Sequence, residues 1–481
     1  MMARAPSVSW KGRRNRQATE RICSAAFSRP NLKTFSLLFR DGVSGSANLV
    51  FIEFLKPAGT NTGLAFRFII GLTPVLNKMR LPNDNTGRHK NGPLNTSRHT
   101  ALRFVLLIGV MSFFADFTYE GARSVYGPFL AGLAASATVV SIVTGFGELV
   151  GYGFRLVSGR WADRTGNFWA IAIFGYFVQL LAVPALALAN NWPAAAALII
   201  LERFGRATRN PPRDAMLSHA GSEIGFGWAF GLHEALDQFG ALFGPLLVAG
   251  ILAWRGSYRL AFAALLVPMV ICLSMVLIAH HIYPRPHDLE IKTGNVKTQG
   301  LPGVFWMYLA GAALVAAGFA DFPLIAFHFT QASTVPKDIV PVAYAIAMGV
   351  SGTGSLVFGR WFDRFGVALL IPLTLIAAAF APLAFLGGFW PALLGAAIWG
   401  LGMGVHESII PAVVAPMVSA DRRASAYGLF TAGYGIFWFI GSAIMGVLYD
   451  RSVSEMVIFC VATQLAAIPL FFIVKRLMTR A

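Results

Sequence analysis

Residues 159–166 read GRWADRTG, and residues 359–366 read GRWFDRFG. Glycine, arginine, tryptophan, aspartate, arginine and glycine recur at one spacing, each time between long apolar runs. A repeat of this kind constrains architecture before any local reading does. Other pairs agree with it. Asp116 and Phe117 return as Asp321 and Phe322, Gly151 and Gly153 as Gly352 and Gly354. FGLHEALDQFGALFGP (residues 230–245) matches YGLFTAGYGIFWFIGS (residues 427–442), aligning Gly231 with Gly428 and Gly244 with Gly441. The offsets of 205, 200 and 197 residues agree within a few positions, so the chain is written as two halves of one plan.

The runs around these motifs define the solvent. Of 481 residues, 56% are hydrophobic and 13% charged, and the mean hydropathy is +0.62, far from a soluble composition. From Ala101 to about Arg476 the chain is a succession of apolar stretches long enough to cross a bilayer as helices. They are continuously apolar rather than alternating, which favours helices over barrel strands. Twelve crossings are expected: an N-terminal six-helix bundle over residues 101–281, a polar cytoplasmic linker over 282–302, and a C-terminal six-helix bundle over 303–477. Residues 1–100 are expected to be a basic extension without fixed structure, since the apolar pieces NLVFIEF and GLAFRFIIGLTPVL are too short to span comfortably. Met79, which opens a short polar lead into the first span, is a second candidate start.

The net charge of +17 does not indicate nucleic acid. Residues 1–100 hold sixteen Lys and Arg against four acidic residues, so +12 of the total lies outside the membrane domain. Within that domain, Arg160, Arg164, Arg285, Lys292, Lys297, Arg360, Arg364, Arg422, Arg423, Lys475, Arg476 and Arg480 share one side, while Arg255, Arg259, Lys337 and Arg451 fall opposite. The positive-inside rule places the first side, and both ends of the domain, in the cytoplasm of a cell (inner) membrane. Arg209 and Arg213 are assigned by the same rule to the cytoplasmic edge of the fourth span. Three scattered cysteines and the lack of a His-Glu-x-x-His pattern give no sign of a disulfide framework, metal site or cofactor, and no nucleophile constellation suggests an enzyme.

The loop GRWADRTG, with Gly159, Asp163, Arg164 and Gly166, resembles the motif between the second and third helices of the major facilitator superfamily. GRWFDRFG, with Gly359, Asp363, Arg364 and Gly366, resembles its copy between helices eight and nine. The family's trailing basic pair is replaced by Asn167 and Phe168, then by Val367 and Ala368. The resemblance covers about residues 101–477 and implies two pseudo-symmetric bundles that rock about a central path, with these loops as a cytoplasmic gate. Gly231, Gly240, Gly244 and Pro245 resemble the fifth-helix glycine motif of the superfamily's antiporters, although Val248 and Ala249 replace its closing glycines.

Ionisable residues in lipid mark ion or substrate paths. The first span carries Asp116, Glu120 and Arg123 at i, i+4 and i+7, on one face. Glu148 and Arg155, seven apart, are a candidate pair in the second. Arg203 and Arg206 match the superfamily's arginine-containing fourth-helix region in part. His233, Glu234 and Asp237 share the fifth span, with His233 and Asp237 one turn apart, which suits a proton-responsive pair. His406 and Glu407 lie in span ten, and aligning Met216 with Met417 sets Arg206 opposite Glu407. Apart from Glu148 and Arg155, these are ten candidates for coupling and translocation, and they lead to a reading as a secondary transporter, acting as a monomer in the bilayer and exporting a small organic compound by proton antiport. A proton-coupled importer of a nutrient or organic anion, and a non-transporting receptor of the same fold, are the alternatives.

Overall fold

The computed structural model describes residues 32–40, 47–55, 65–67, 93–224, 226–284, 301–410, 413–414, 417 and 423–480. Residues 1–90 and 91–481 form separate units. In the first, strands β1 (Leu32–Arg40), β2 (Ala47–Leu55) and β3 (Ala65–Arg67) pair antiparallel in that order, Leu32 opposite Leu55 and Glu53 opposite Arg67. The apolar run NLVFIEF thus forms most of β2, as its β-branched and aromatic content favours. Met79 and residues 285–300 of the linker lie outside the described residues.

The second unit is helical. Its N-terminal half contains α1 (Pro93–Arg123), α2 (Tyr126–Gly132), α3 (Ala137–Thr165), α4 (Phe168–Ala185), α5 (Trp192–Ile224), α6 (Phe226–Arg255), α7 (Tyr258–Ala264) and α8 (Leu266–Ile282). Its C-terminal half contains α9 (Gly303–Ala317), α10 (Phe322–Gln331), α11 (Val340–Phe365), α12 (Leu370–Ala378), α13 (Phe380–Leu386), α14 (Phe389–Gly404), α15 (Arg423–Arg451) and α16 (Val453–Arg480). Eleven stretches of described helix are long and apolar enough to cross a membrane. The remaining crossing is α5. It packs against α3 and α4 and is 33 residues long, but Glu202, Arg203, Arg206, Arg209, Arg213 and Asp214 lower its apolarity.

The duplication is visible in backbone detail. Ala134 and Ser333, 199 residues apart, both adopt positive φ (64° and 53°) in the turn after the first and seventh crossings. Gly244 lies on α1 so closely that a β-carbon there would overlap the Phe117 carbonyl, and Gly441 lies on α9 in the same way, against Ala317. Gly166 ends α3 in the left-handed region (φ 65°) and Gly366 ends α11 at φ 54°, so both motif loops need their last glycine for the turn.

The seventh crossing is broken. Gly318 and Pro323 flank the interruption, and Asp321 is the residue immediately before α10, its side chain not bonded to the helix end. The carbonyls freed at the break accept from side chains, Gly318 from Gln464 and Ala320 from Trp399, as the membrane interior demands. The break turns the Asp321 carboxylate towards the interface between the halves.

That interface is made by α3 against α15, α6 against α11, and α2 against α10. It is tight at the end opposite the motif loops. A β-carbon on Gly127 would overlap the Pro323 carbonyl, Gly446 abuts Thr138 and Ser141, and both Asp450 oxygens accept from the first N–H groups of α3, those of Ala137 (3.1 Å) and Thr138 (2.9 Å).

Candidate functional site

Two layers of buried charge occupy the N-terminal half and reach across to its partner. The i, i+3, i+4 spacing of α1 stacks Ser112, Asp116, Tyr119, Glu120 and Arg123 on its protein-facing side, all buried. In the layer nearer the closed end, one oxygen of Glu148 (α3) receives both Arg123 at 3.0 Å and Arg203 (α5) at 2.9 Å. Arg123 also stands 3.9 Å from Glu120 and 3.7 Å from Asp321. Tyr344 on α11 donates to the other Glu120 oxygen, while Trp438 and Ser442 on α15 donate to Asp321 at 3.2 and 3.3 Å. Two contacts therefore join the halves through buried polar groups, Arg123 to Asp321 and Tyr344 to Glu120.

The second layer lies one to two turns nearer the start of α1. Arg209 is fully buried, 3.2 Å from Asp116, and donates to Tyr176 at 3.0 Å and to Gln179. Gln179 passes a hydrogen bond of 3.1 Å to Glu202. Arg213 sits 3.8 Å from Asp237 and donates to Asp214 at 2.8 Å. His233 shares a 2.8 Å hydrogen bond with Ser112 and lies 3.5 Å from Asp237. Guanidinium groups out of water are stable only when paired and hydrogen-bonded, and these meet that demand from four helices.

Sequence and structure disagree at several points. Glu148 does not take Arg155, two turns away on its own helix, because Arg123 and Arg203 from neighbouring helices reach it first. Arg209 and Arg213 are not cytoplasmic-edge residues; both are buried in the second layer. Asp116 pairs with Arg209 rather than with Arg123, although it shares a face with Glu120. Arg206 meets Glu120 at 4.0 Å and makes no ion pair with Glu407. His406, in a π-turn over Val405–Ile409, is buried against Tyr434, whereas Glu407 is exposed on another sector. His233 and Asp237 do come together, and Glu234 is exposed, accepting from Gln238 at 3.0 Å. Asp321, singled out in the sequence only as part of the repeat, emerges as the C-terminal anchor of the network.

The motif residues divide by role. Arg164 and Arg364 are exposed, and the side chains of Asp163 and Asp363 lie outside the described residues. Gly159 is in ordinary contact with Pro211 and Gly359 faces open space, whereas Gly240 and Gly244 let α6 approach the α1 backbone at Phe113 and Phe117, with Pro245 in the same helix. Gly231 faces open space. Glu234 and Glu407 are both exposed within membrane-length helices of opposite halves. Such residues belong beside water or protein rather than lipid.

A family model for the Major Facilitator Superfamily matches residues 106–336 and 309–480. The chain belongs to this superfamily. Its members are transporters that bind small molecules, so this is a multi-pass membrane transporter and not an enzyme. An uncharacterized protein of Mycobacterium tuberculosis (strain H37Rv) is 40% identical over 383 residues, covering 78% of this chain and 94% of the relative. An MFS-type efflux pump of Mycolicibacterium smegmatis is 23% identical over 396 residues, covering 75% of this chain and 88% of the pump. The crystal structure of the nucleoside transporter NupG superimposes with a TM-score of 0.62 at 13% identity, covering 78% of this chain and 99% of NupG, which shows the superfamily fold.

Proposed function

We propose that the protein exports a small organic compound in exchange for protons, as a monomer in the cell membrane with both ends of its helical domain in the cytoplasm. The observation that carries this reading is the buried contact of Arg123 with Asp321 across the two halves. In the state described, the halves are held together at the end opposite the motif loops, which the positive-inside rule makes the external end. Arg123 is shared among Glu148, Glu120 and Asp321. A proton added to Asp321 removes its charge and leaves Arg123 to its partners in the N-terminal half, so the external end can part. Loss of that proton restores the pair and the closed external end. The second layer, with His233 and Asp237, gives a further proton-accepting place on α6. Direction is supported by the likeness to the efflux pump.

The test is metabolite profiling of cells that express the protein, with and without a protonophore. Export predicts that one compound accumulates when the gradient collapses or when Asp321 is changed to Asn. Depletion of a compound under the same conditions would instead indicate import, and an unchanged profile would indicate a receptor.

A further inference from the structure

Four of the six arginines in the N-terminal layers have a carboxylate within 3.2 Å: Arg123 and Arg203 on Glu148, Arg209 on Asp116, Arg213 on Asp214. Arg155 and Arg206 do not. The Arg155 side chain makes no ion pair with a carboxylate among the described residues, and its buried Nε has no partner. Arg206 reaches Glu120 only at 4.0 Å, a carboxylate already engaged by Tyr344 and Arg123, and its Nε is likewise buried and unpartnered. The Arg206 side chain keeps 21% of its surface exposed, and Arg155 is half-buried.

The two guanidinium groups are held in similar fashion. Arg206 lies 4.4 Å from the centre of the Tyr119 ring and Arg155 lies 5.5 Å from that of Tyr152. Stacking on a ring restrains the guanidinium plane and leaves the N–H edge free to donate. Their helices are in direct contact at this level: Ser158, one turn after Arg155, donates to the carbonyl of Ala207, next to Arg206, at 2.8 Å, and the Phe154 and Phe204 rings lie 4.5 Å apart. Two guanidinium groups on adjoining helices, each with an unused Nε donor, are suited to hold an anion between them.

We propose that Arg155 and Arg206 form the binding site for an anionic group, carboxylate or phosphate, on the transported compound. The site rests on the reading of the protein as a transporter, and it narrows the substrate class to small organic anions. The aromatic ring of Tyr152, edge-to-face with Tyr434 at 5.8 Å, offers an apolar wall beside the charge.

The experiment is equilibrium binding to the purified full chain in detergent at one pH, with benzoate and phenyl phosphate as probes and benzamidine and benzyl alcohol as cationic and neutral controls. No gradient is imposed, so the result is independent of whether transport is proton-coupled or outward. The expected outcome is saturable binding of benzoate, phenyl phosphate or both, weakened at least tenfold in Arg155→Gln and in Arg206→Gln. Which probe binds identifies the head group. Lys at either position, tested in parallel, should retain part of the affinity if the variant folds, which separates loss of charge from loss of structure. Absence of anion binding to the wild-type chain, preference for a control probe, or unchanged affinity in the doubly substituted chain would each overturn the proposal. Failure of the protonophore experiment with intact anion binding would fault the coupling and direction but leave this site standing.

Discussion

Arg123 of the N-terminal half stands 3.7 Å from Asp321 of the C-terminal half, at the point where the seventh crossing breaks. Neither residue is held by this contact alone: Arg123 donates to Glu148, and Asp321 accepts from Trp438 and Ser442. The pair can therefore open without leaving either group bare, which suits a contact that must be broken in each cycle. Arg123→Gln is a harsher change, because Glu148, Glu120 and Asp321 lose a shared counter-charge. It should cost on the order of 3–5 kcal/mol of stability. A clear fall in melting temperature relative to Asp321→Asn is expected in detergent.

The second layer gives a cleaner measurement of one buried pair. Arg209→Gln leaves Asp116 buried beside a neutral partner and should destabilise by roughly 3–5 kcal/mol, whereas the double change with Asp116→Asn should recover part of that loss. Additive effects in this double-mutant cycle would mean that the 3.2 Å contact carries no coupling.

At the closed end, Asp450 caps α3 from the opposite half. Loss of a capping side chain costs typically about 1 kcal/mol, or close to a fivefold change in an equilibrium. Because this cap joins two halves, the cost should fall on the closed state. A cysteine at Ser141, buried beneath Gly446, should therefore react with a polar maleimide several-fold faster in Asp450→Ala than in the parent. Equal rates would show that the cap does not help hold this end shut.

The glycine motif makes a different claim. Gly244 and its repeat partner Gly441 both press a helix against a neighbouring backbone, although only Gly244 lies in the antiporter-like motif. Gly244→Ala and Gly441→Ala should each lower stability by about 1–3 kcal/mol through overpacking. A loss of transport specific to Gly244→Ala, at unchanged stability, would assign that glycine a role beyond packing.

Much of this architecture is legible in the sequence. The duplicated loops, the paired Asp-Phe sites and the apolar runs place the two halves and the charged first, fourth and fifth crossings. The partners of those charges are not legible, because they are chosen across helices. Glu148 illustrates this: its own-helix neighbour Arg155 lies two turns off, while Arg123 and Arg203 converge on it from α1 and α5. The positive-inside rule puts Arg209 and Arg213 at the edge, yet Arg203, Arg206, Arg209 or Asn210, and Arg213 follow helical spacing, a pattern that puts them on one face. Gly318 and Pro323 around Asp321 are the local signs of a broken helix, the other signal that would have singled out this aspartate.

The most direct test of the coupling between protonation and rocking needs no substrate. Spin labels at Trp161 and Trp361, exposed side chains on the two motif corners, report the separation of the halves by pulsed dipolar spectroscopy. In the parent chain, acidification should shift the distance distribution towards a shorter separation at the motif end as the opposite end parts. Asp321→Asn should show the acid-like distribution at every pH. A response to pH in Asp321→Asn as large as that of the parent would contradict the role given to the Arg123–Asp321 pair.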